Sequence, residues 1–365
     1  MDLTDEGMTK ITDIITIVFQ YIKMLKTQGP QERIFKEKQT LSEIKFRFKD
    51  KEQPAGYVTA LTKNMQKYQS QDILSAQYTV DEYRPHRISE LFEYLTPQKF
   101  RCTIQSQEFE GKTDQVYKYY NAGYSVERIP QELIDKWTNI EAHPELHLPK
   151  VNSFIPENLD IVVPQRIKET KDVPVLVKDN NLMRVWYKAD DSFYLPKCVL
   201  FLSVTSPHAC STPYNINHTR MFTRLLRDEL KEYSYDALKA GLSSNVYSTS
   251  CGFNVQISGF NDKQFVLLRK ILDQIVNLEV KESRFDVNKV EYEESLKNFD
   301  VQEPYMQIGS LVHHLLQEDS WSAEDKLAQL DGVTVESLKA FIPELLKSVY
   351  FECLLTGNLL VEDVR

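Results

Sequence analysis

Glycine is scarce in this chain, with eleven residues spread over 365 positions. No run of them builds a loop that could cradle a phosphate. Cysteine is equally thin: Cys102, Cys198, Cys210, Cys251 and Cys353 are odd in number, scattered, and without a Cys-x-x-Cys pair. That usage argues against a disulfide framework and for a reducing compartment. Three or more of the five fall in apolar alternating runs, where cysteine acts as a small buried hydrophobe. No apolar run approaches the ~20 residues that a membrane-spanning helix needs. The opening residues Met-Asp-Leu-Thr-Asp-Glu are acidic and unlike a signal peptide, so the expected location is cytoplasmic. Positive charge is also in deficit, with 44 Lys and Arg against 53 Asp and Glu and a net charge of -9. A general nucleic-acid binder usually carries a basic excess, so no nucleic acid is expected as a partner, and no membrane. Ser42, Ser211 and Ser243 lack the Gly-x-Ser-x-Gly setting of a serine hydrolase.

What is present is the composition of a globular protein, 42% hydrophobic and 27% charged, at a length that allows two cores. The first hundred residues read as helices. Ile11, Ile14, Ile15, Val18, Phe19, Ile22 and Leu25 recur at helical spacing behind a capping Thr4, and Gly29-Pro30 ends that helix. Further helices are expected toward Phe46 and Phe48, near 55–67, 71–78 and 86–95. Phe100, Cys102 and Ile104 then alternate with polar residues as one strand. A lone strand can neither pair its backbone nor bury its face, so this part reads as an incomplete, mostly helical half-domain. Pro130, Pro144, Pro149, Pro156, Pro164 and Pro174 mark a proline-rich linker, helical only near Trp137.

Beyond the linker the pattern is α+β. Strands are expected at 182–188, 197–205, 244–249, 253–258 and 349–355. Phe253, Val255 and Ile257 face one side of a strand and Asn254, Gln256 and Ser258 the other. Helices are expected near 215–233, 262–277, 283–299, 304–317, 323–330 and 335–347. Apolar faces are read at Phe265, Leu268, Leu272, Ile275 and Val276, and at Ile308, Leu311, Val312, Leu315 and Leu316. Ser322 with Asp325, and Thr334, are placed as helix caps.

The candidates for chemistry are few. His143-Pro144-Glu145-Leu146-His147 has the residue types of a zinc hydrolase, but His-x-Glu-x-His is the wrong spacing, and Pro144 disfavours the required helix. His313 and His314 are adjacent and point about 100° apart on a helix, so they cannot chelate one metal together. Asp190-Asp191 fits a turn between strands, and Asn261-Asp262 fits a helix cap. Asn217-His218-Thr219 matches a glycosylation sequon but lies in an expected helix. No catalytic, cofactor-binding or metal residue is assigned.

Two segments carry a family signal: Val185-Trp-Tyr-Lys-Ala-Asp-Asp-Ser-Phe-Tyr-Leu-Pro-Lys197 and Gly259-Phe-Asn-Asp-Lys-Gln264. With Gly29-Pro30-Gln31-Glu32, Phe46 to Glu52, Phe109 to Asp114, Phe154-Ile155-Pro156, Leu338 to Pro343 and Gly357-Asn358, they resemble the insulinase (pitrilysin-type, inverted-zincin) family of zinc metallopeptidases. That resemblance implies four homologous α+β domains in two halves around a degradation chamber. Residues 1–127 then look like the later part of the second domain, 128–170 like the linker between halves, and 171–365 like the third, non-catalytic domain. It also implies zinc in a full-length parent enzyme, held by a His-x-x-Glu-His motif that this sequence lacks. Partners implied are the remaining parent domains and peptide substrates, with homo-oligomers as a further option. One departure stands out: Gln53-Pro54-Ala55 replaces an arginine-bearing segment, removing two charges that a polyanion patch would use there. The expected role is a non-catalytic middle region forming chamber wall and hinge. The alternatives are a stand-alone, catalytically dead homologue acting as a peptide-binding or scaffold protein, and a separately encoded subunit of a catalytic partner.

Overall fold

The computed structural model describes residues 3–162, 173–190, 192–318 and 320–364. Pro164 and Asp191 lie outside them. Two compact units are present: Met1–Glu43 with Pro54–Val151, and Ile44–Gln53 with Asn152–Arg365.

The first unit starts with α1 (Asp5–Thr9) and α2 (Ile11–Gln28). Thr4 caps only α1, accepting from the Gly7 amide, and Lys10 at φ -116°, ψ 22° breaks what reads as one helix into two. Gly29, at φ 68°, closes α2 by donating its amide to the Leu25 carbonyl. Then come α3 (Glu32–Arg47), whose residues from Ile44 on belong to the second unit, α4 (Pro54–Met65) and α5 (Pro85–Phe92). Residues 71–78, expected as a helix, form a 3₁₀ turn at Ser70–Asp72 followed by turns.

The expected strand at Phe100–Ile104 is instead extended backbone in no sheet. The alternating pattern is there, but a ladder needs a partner, and no strand among the described residues pairs with it. A short exposed hairpin follows, β1 (Gln115–Tyr117) with β2 (Ala122–Tyr124), then α6 (Gln131–Thr138). Phe19 packs 5.4 Å from both Phe100 and Trp137, and the Trp137 indole donates to Thr16 Oγ1. Among the described residues Phe19, Met24, Pro97 and Trp137 are this unit's only buried apolar side chains. So small a core leaves Ile15, Val18, Ile22, Tyr94 and Leu95 lining an open groove of about 270 Å³.

The second unit is an α+β domain. Its six-stranded sheet contains β3 (Val175–Asp179), β4 (Met183–Ala189), β5 (Lys197–Thr205), β6 (Leu242–Ser248), β7 (Gly252–Phe260) and β8 (Tyr350–Gly357). The order is β3-β4-β8-β5-β7-β6, with β4 and β8 parallel and every other pair antiparallel. Phe253, Val255 and Ile257 face the core as their alternation requires.

The helices are α7 (Pro213–Lys239), α8 (Gln264–Val276), α9 (Glu282–Lys297), α10 (Pro304–Leu316), α11 (Ala323–Leu330) and α12 (Val335–Lys347). α7 buries Met221, Phe222, Leu225 and Leu226, and Phe222 meets Phe253 at 5.5 Å. Capping boxes start α11 (Ser322 with Asp325) and α12 (Thr334 with Ser337).

One face differs from its sequence reading. α8 buries Gln264, Leu267, Ile271 and Ile275, while Phe265, Leu272 and Val276 are exposed. The buried stripe begins with a glutamine, so counting apolar residues alone selects the neighbouring stripe.

Candidate functional site

The residue types that suggest metal chemistry are not brought together. His143, Glu145 and His147 sit exposed in one loop, where the Glu145 amide donates to His143 Nδ1 and the Glu145 carbonyl stands 3.3 Å from His147 Nδ1. His313 and His314 lie in the last turn of α10, and His314 faces Ser320 at 3.2 Å. Among the described residues no three His, Cys, Asp or Glu side chains could hold a metal ion. The described histidines and carboxylates are therefore not arranged as a zinc site.

The other candidates have structural partners. Asp190 accepts from the Ser192 and Phe193 amides, which fixes the turn between β4 and β5. Asn217, His218 and Thr219 are fully buried in α7, out of reach of glycosylation. His218 holds its Nδ1 2.8 Å from the Tyr214 carbonyl and its Nε2 2.8 Å from Ser337 Oγ, and burial pulls its pKa below the ordinary value. Ser211 accepts from Asn215, Ser243 is exposed on β6, and neither meets a base.

What the structure does build is a polar clasp at one end of the sheet, made by the two signature segments and Gly357-Asn358. Gly259 takes φ 131°, and a Cβ there would stand 2.0 Å from the Gly241 carbonyl oxygen, so only glycine lets β7 pass β6 so closely. Asn261 and Asp262 do not cap α8, whose N-cap is Lys263 with no side-chain bond. Asp262 instead accepts from the Glu157 amide at 2.9 Å and the Asn158 amide at 3.4 Å. The competing demand is that of segment 154–162, whose loop amides need acceptors.

Asn358, 1% exposed, accepts from the Val162 amide at 2.8 Å. It donates to the Asp160 carbonyl and to Asn261 Oδ1. Gln264 is fully buried, donates to the Cys198 and Ile257 carbonyls and accepts from the Cys198 thiol. Lys197 donates to the Phe48 carbonyl and pairs with Asp50, while Phe48 and Ile44 pack on Phe260. Sequence reasoning assigns Asn261-Asp262 to a cap and gives Gln264 and Asn358 no role of their own. The available signal is a polar residue next to a glycine at a strand end.

Two surfaces are left apolar. No side chain of α10 is buried, and Leu315 and Leu316 are 81% and 83% exposed. On the β1–β2 hairpin Tyr119 and Tyr120 are exposed, each about 6 Å from Tyr117. Among the described residues no helix is long and apolar enough to cross a membrane.

Comparison with known proteins gives concordant results. The sequence model of the family domain described as "Middle or third domain of peptidase_M16" matches residues 46–329. Human insulin-degrading enzyme is 39% identical over 359 residues, 98% of this chain and 35% of that protein. The Drosophila melanogaster insulin-degrading enzyme is also 39% identical, over 98% of this chain and 36% of its own length. The A-factor-processing enzyme of Saccharomyces cerevisiae is 34% identical over 364 residues, 100% of this chain and 35% of its own length. The crystal structure of pitrilysin shares the fold, with a TM-score of 0.74 at 20% identity, covering 98% of this chain and 38% of that one. The chain thus spans about a third of the length of the curated relatives it matches.

Proposed function

The chain belongs to the peptidase M16 family through its middle or third domain, and on that premise we propose that it is the non-catalytic middle region of an insulin-degrading-type zinc metalloendopeptidase. Residues 1–127 act as the later part of a second domain, 128–170 as the linker between halves, and 171–365 as a third domain. Together they provide wall and hinge of a chamber in which the parent enzyme hydrolyses peptides in the cytoplasm. The parent's zinc is held by residues other than these, and supplies the water-activating chemistry there.

The observation that carries this reading is the uncovered apolar surface of α10, paired with the thin core of the first unit. Apolar faces of this extent mark packing surfaces between domains or chains. Metal analysis together with a fluorogenic peptide assay on the purified chain tests the reading. No stoichiometric zinc and no turnover is the expected result, and turnover abolished by a chelator would overturn it.

A further inference from the structure

The loop after β5 and the β6–β7 turn are locked together at the end of β5 far from the clasp. Thr205 of β5 pairs with Gly252 of β7, and one step on the Ser206 amide donates to the Cys251 carbonyl at 3.0 Å. A Cβ at Gly252 would collide with the Val204 carbonyl oxygen, so the two backbones approach closely here. The Thr249 amide donates to the Gly252 carbonyl at 2.8 Å, which leaves Ser250 and Cys251 as the two-residue tip of the β6–β7 hairpin.

Two of the chain's five cysteines meet at this crossing. The Cys251 amide donates to Thr249 Oγ1 at 3.4 Å, and the Cys210 thiol donates to the Thr249 carbonyl at 3.3 Å. A turn in which the Ala209 amide donates to the Ser206 carbonyl at 3.1 Å brings Cys210 back to the hairpin. The Trp321 indole holds it there, donating to the Cys210 carbonyl at 2.8 Å. A tight turn keeps its first and last Cα within about 7 Å, and a disulfide joins Cα atoms about 4.4–6.8 Å apart. A thiol seated on the first residue of the turn is therefore in range of a cysteine in the same turn. The two differ in access: Cys251 is exposed, whereas Cys210 is buried. Lys326 lies within electrostatic reach of Cys210, and a neighbouring ammonium favours the thiolate.

We propose that Cys210 and Cys251 form a thiol–disulfide exchange site for a low-molecular-weight disulfide of the glutathione class, which closes a covalent bridge from the loop before α7 to the β6–β7 turn. The exposed Cys251 thiolate attacks one sulfur of the small disulfide, forming a mixed disulfide and expelling one thiolate. Cys210, its proton passed to solvent, then attacks Cys251 Sγ. The mixed S–S bond breaks and the second small thiolate leaves. Two protein thiols are oxidised, one small disulfide is reduced to two thiols, and the expelled thiolates take up the protons released. Excess small thiol runs the same steps backwards, so the bridge is reversible and distinct from a structural framework. Once closed, it ties the start of α7, capped by Thr212, to the hairpin tip.

Treatment of the full chain with oxidised glutathione, then alkylation, digestion without reductant and mass spectrometry, tests the site. The expected product is a peptide pair linked through Cys210 and Cys251, lost on addition of dithiothreitol. Cys251→Ser, a change at an exposed turn, is expected to keep the fold, abolish the pair and leave Cys210 unmodified. In Cys210→Ser the glutathione on Cys251 is expected to persist about tenfold longer or more than in the wild type, because the resolving thiol is gone. Where Cys210→Ser fails to fold, the wild-type and Cys251→Ser maps still decide the matter. Persistent glutathione on wild-type Cys251 without the linked pair, a link from Cys251 to any other cysteine or to a second chain, or no modification of Cys251 would overturn the proposal.

Discussion

The ammonium of Lys197 stands 2.6 Å from the Asp50 carboxylate and 3.0 Å from the Phe48 carbonyl, joining positions almost 150 residues apart in the chain. It does so from the last residue of a family signature whose other members shape the same end of the sheet. These signatures hold segments 44–53 and 154–162 onto the sheet, and several consequences can be measured.

Asn358 is the most connected of these residues. Replacing it with alanine leaves the Val162 amide, the Asp160 carbonyl and Asn261 Oδ1 short of partners in a buried place. Asn358→Ala is expected to cost about 3 kcal/mol in urea unfolding. A loss below about 0.5 kcal/mol would show that water replaces the side chain.

Gly259→Ala is expected to destabilise by more than about 3 kcal/mol, because it adds backbone strain to a collision with the Gly241 carbonyl. Gly309 supplies the control. It lies in α10, where an added methyl group would find no atom within 4 Å, so Gly309→Ala is expected to stabilise by up to about 1 kcal/mol.

His218 gives a pH dependence with a defined sign. Its folded pKa is lowered by burial, so below about 6.5 the unfolded chain binds a proton that the native chain refuses. Its contribution is therefore complete above about 6.5 and is lost as pH falls from there toward the folded value. The urea midpoint is expected to drop between pH 7 and 5.5 more steeply in the wild type than in His218→Gln. Parallel profiles would contradict the assignment.

The α10 face is expected to tolerate polar substitution. Leu311→Ser, Leu315→Ser and Leu316→Ser combined should reduce binding of a hydrophobic dye, with each change altering stability by about 0.5 kcal/mol or less. Cooperative loss of the fold would mean that these side chains already pack within the chain.

Thiol chemistry separates the cysteines. Cys102 and Cys251 are exposed, whereas burial pushes the Cys198 thiol up to about 12 and Cys353 to about 11. A thiol reagent at pH 8 is expected to label two sites in the native protein and all five after denaturation. Fast labelling of Cys198 would contradict its buried contact with Gln264.

The second unit is largely legible in the sequence because its elements announce themselves locally. Phe253, Val255 and Ile257 alternate, and Ser322 and Thr334 start helices with their own side chains. The β1–β2 hairpin is not legible: its three-residue strands are exposed throughout, so no apolar period marks them. β3 is a mostly exposed edge strand and gives the same weak signal. The clasp is hidden for another reason. Asn358 and Gln264 are polar, which reads as surface, and Asn358 finds the Val162 amide 196 residues away. The signature segments can name the family without revealing what each side chain touches.

The position of β8 bears on how the domain comes into being. β4 and β5 are successive in the chain, yet they never pair, because Tyr350–Gly357 lies between them. Until that segment is available, β3–β4 and β5–β7–β6 are two separate ribbons, each with an unpaired inner edge. Closing the sheet requires contacts across more than half of the residues from β3 onward, a topology that folds slowly and exposes strand edges meanwhile. During synthesis the nascent domain therefore passes through an open, aggregation-sensitive interval that ends only when its last strand is inserted.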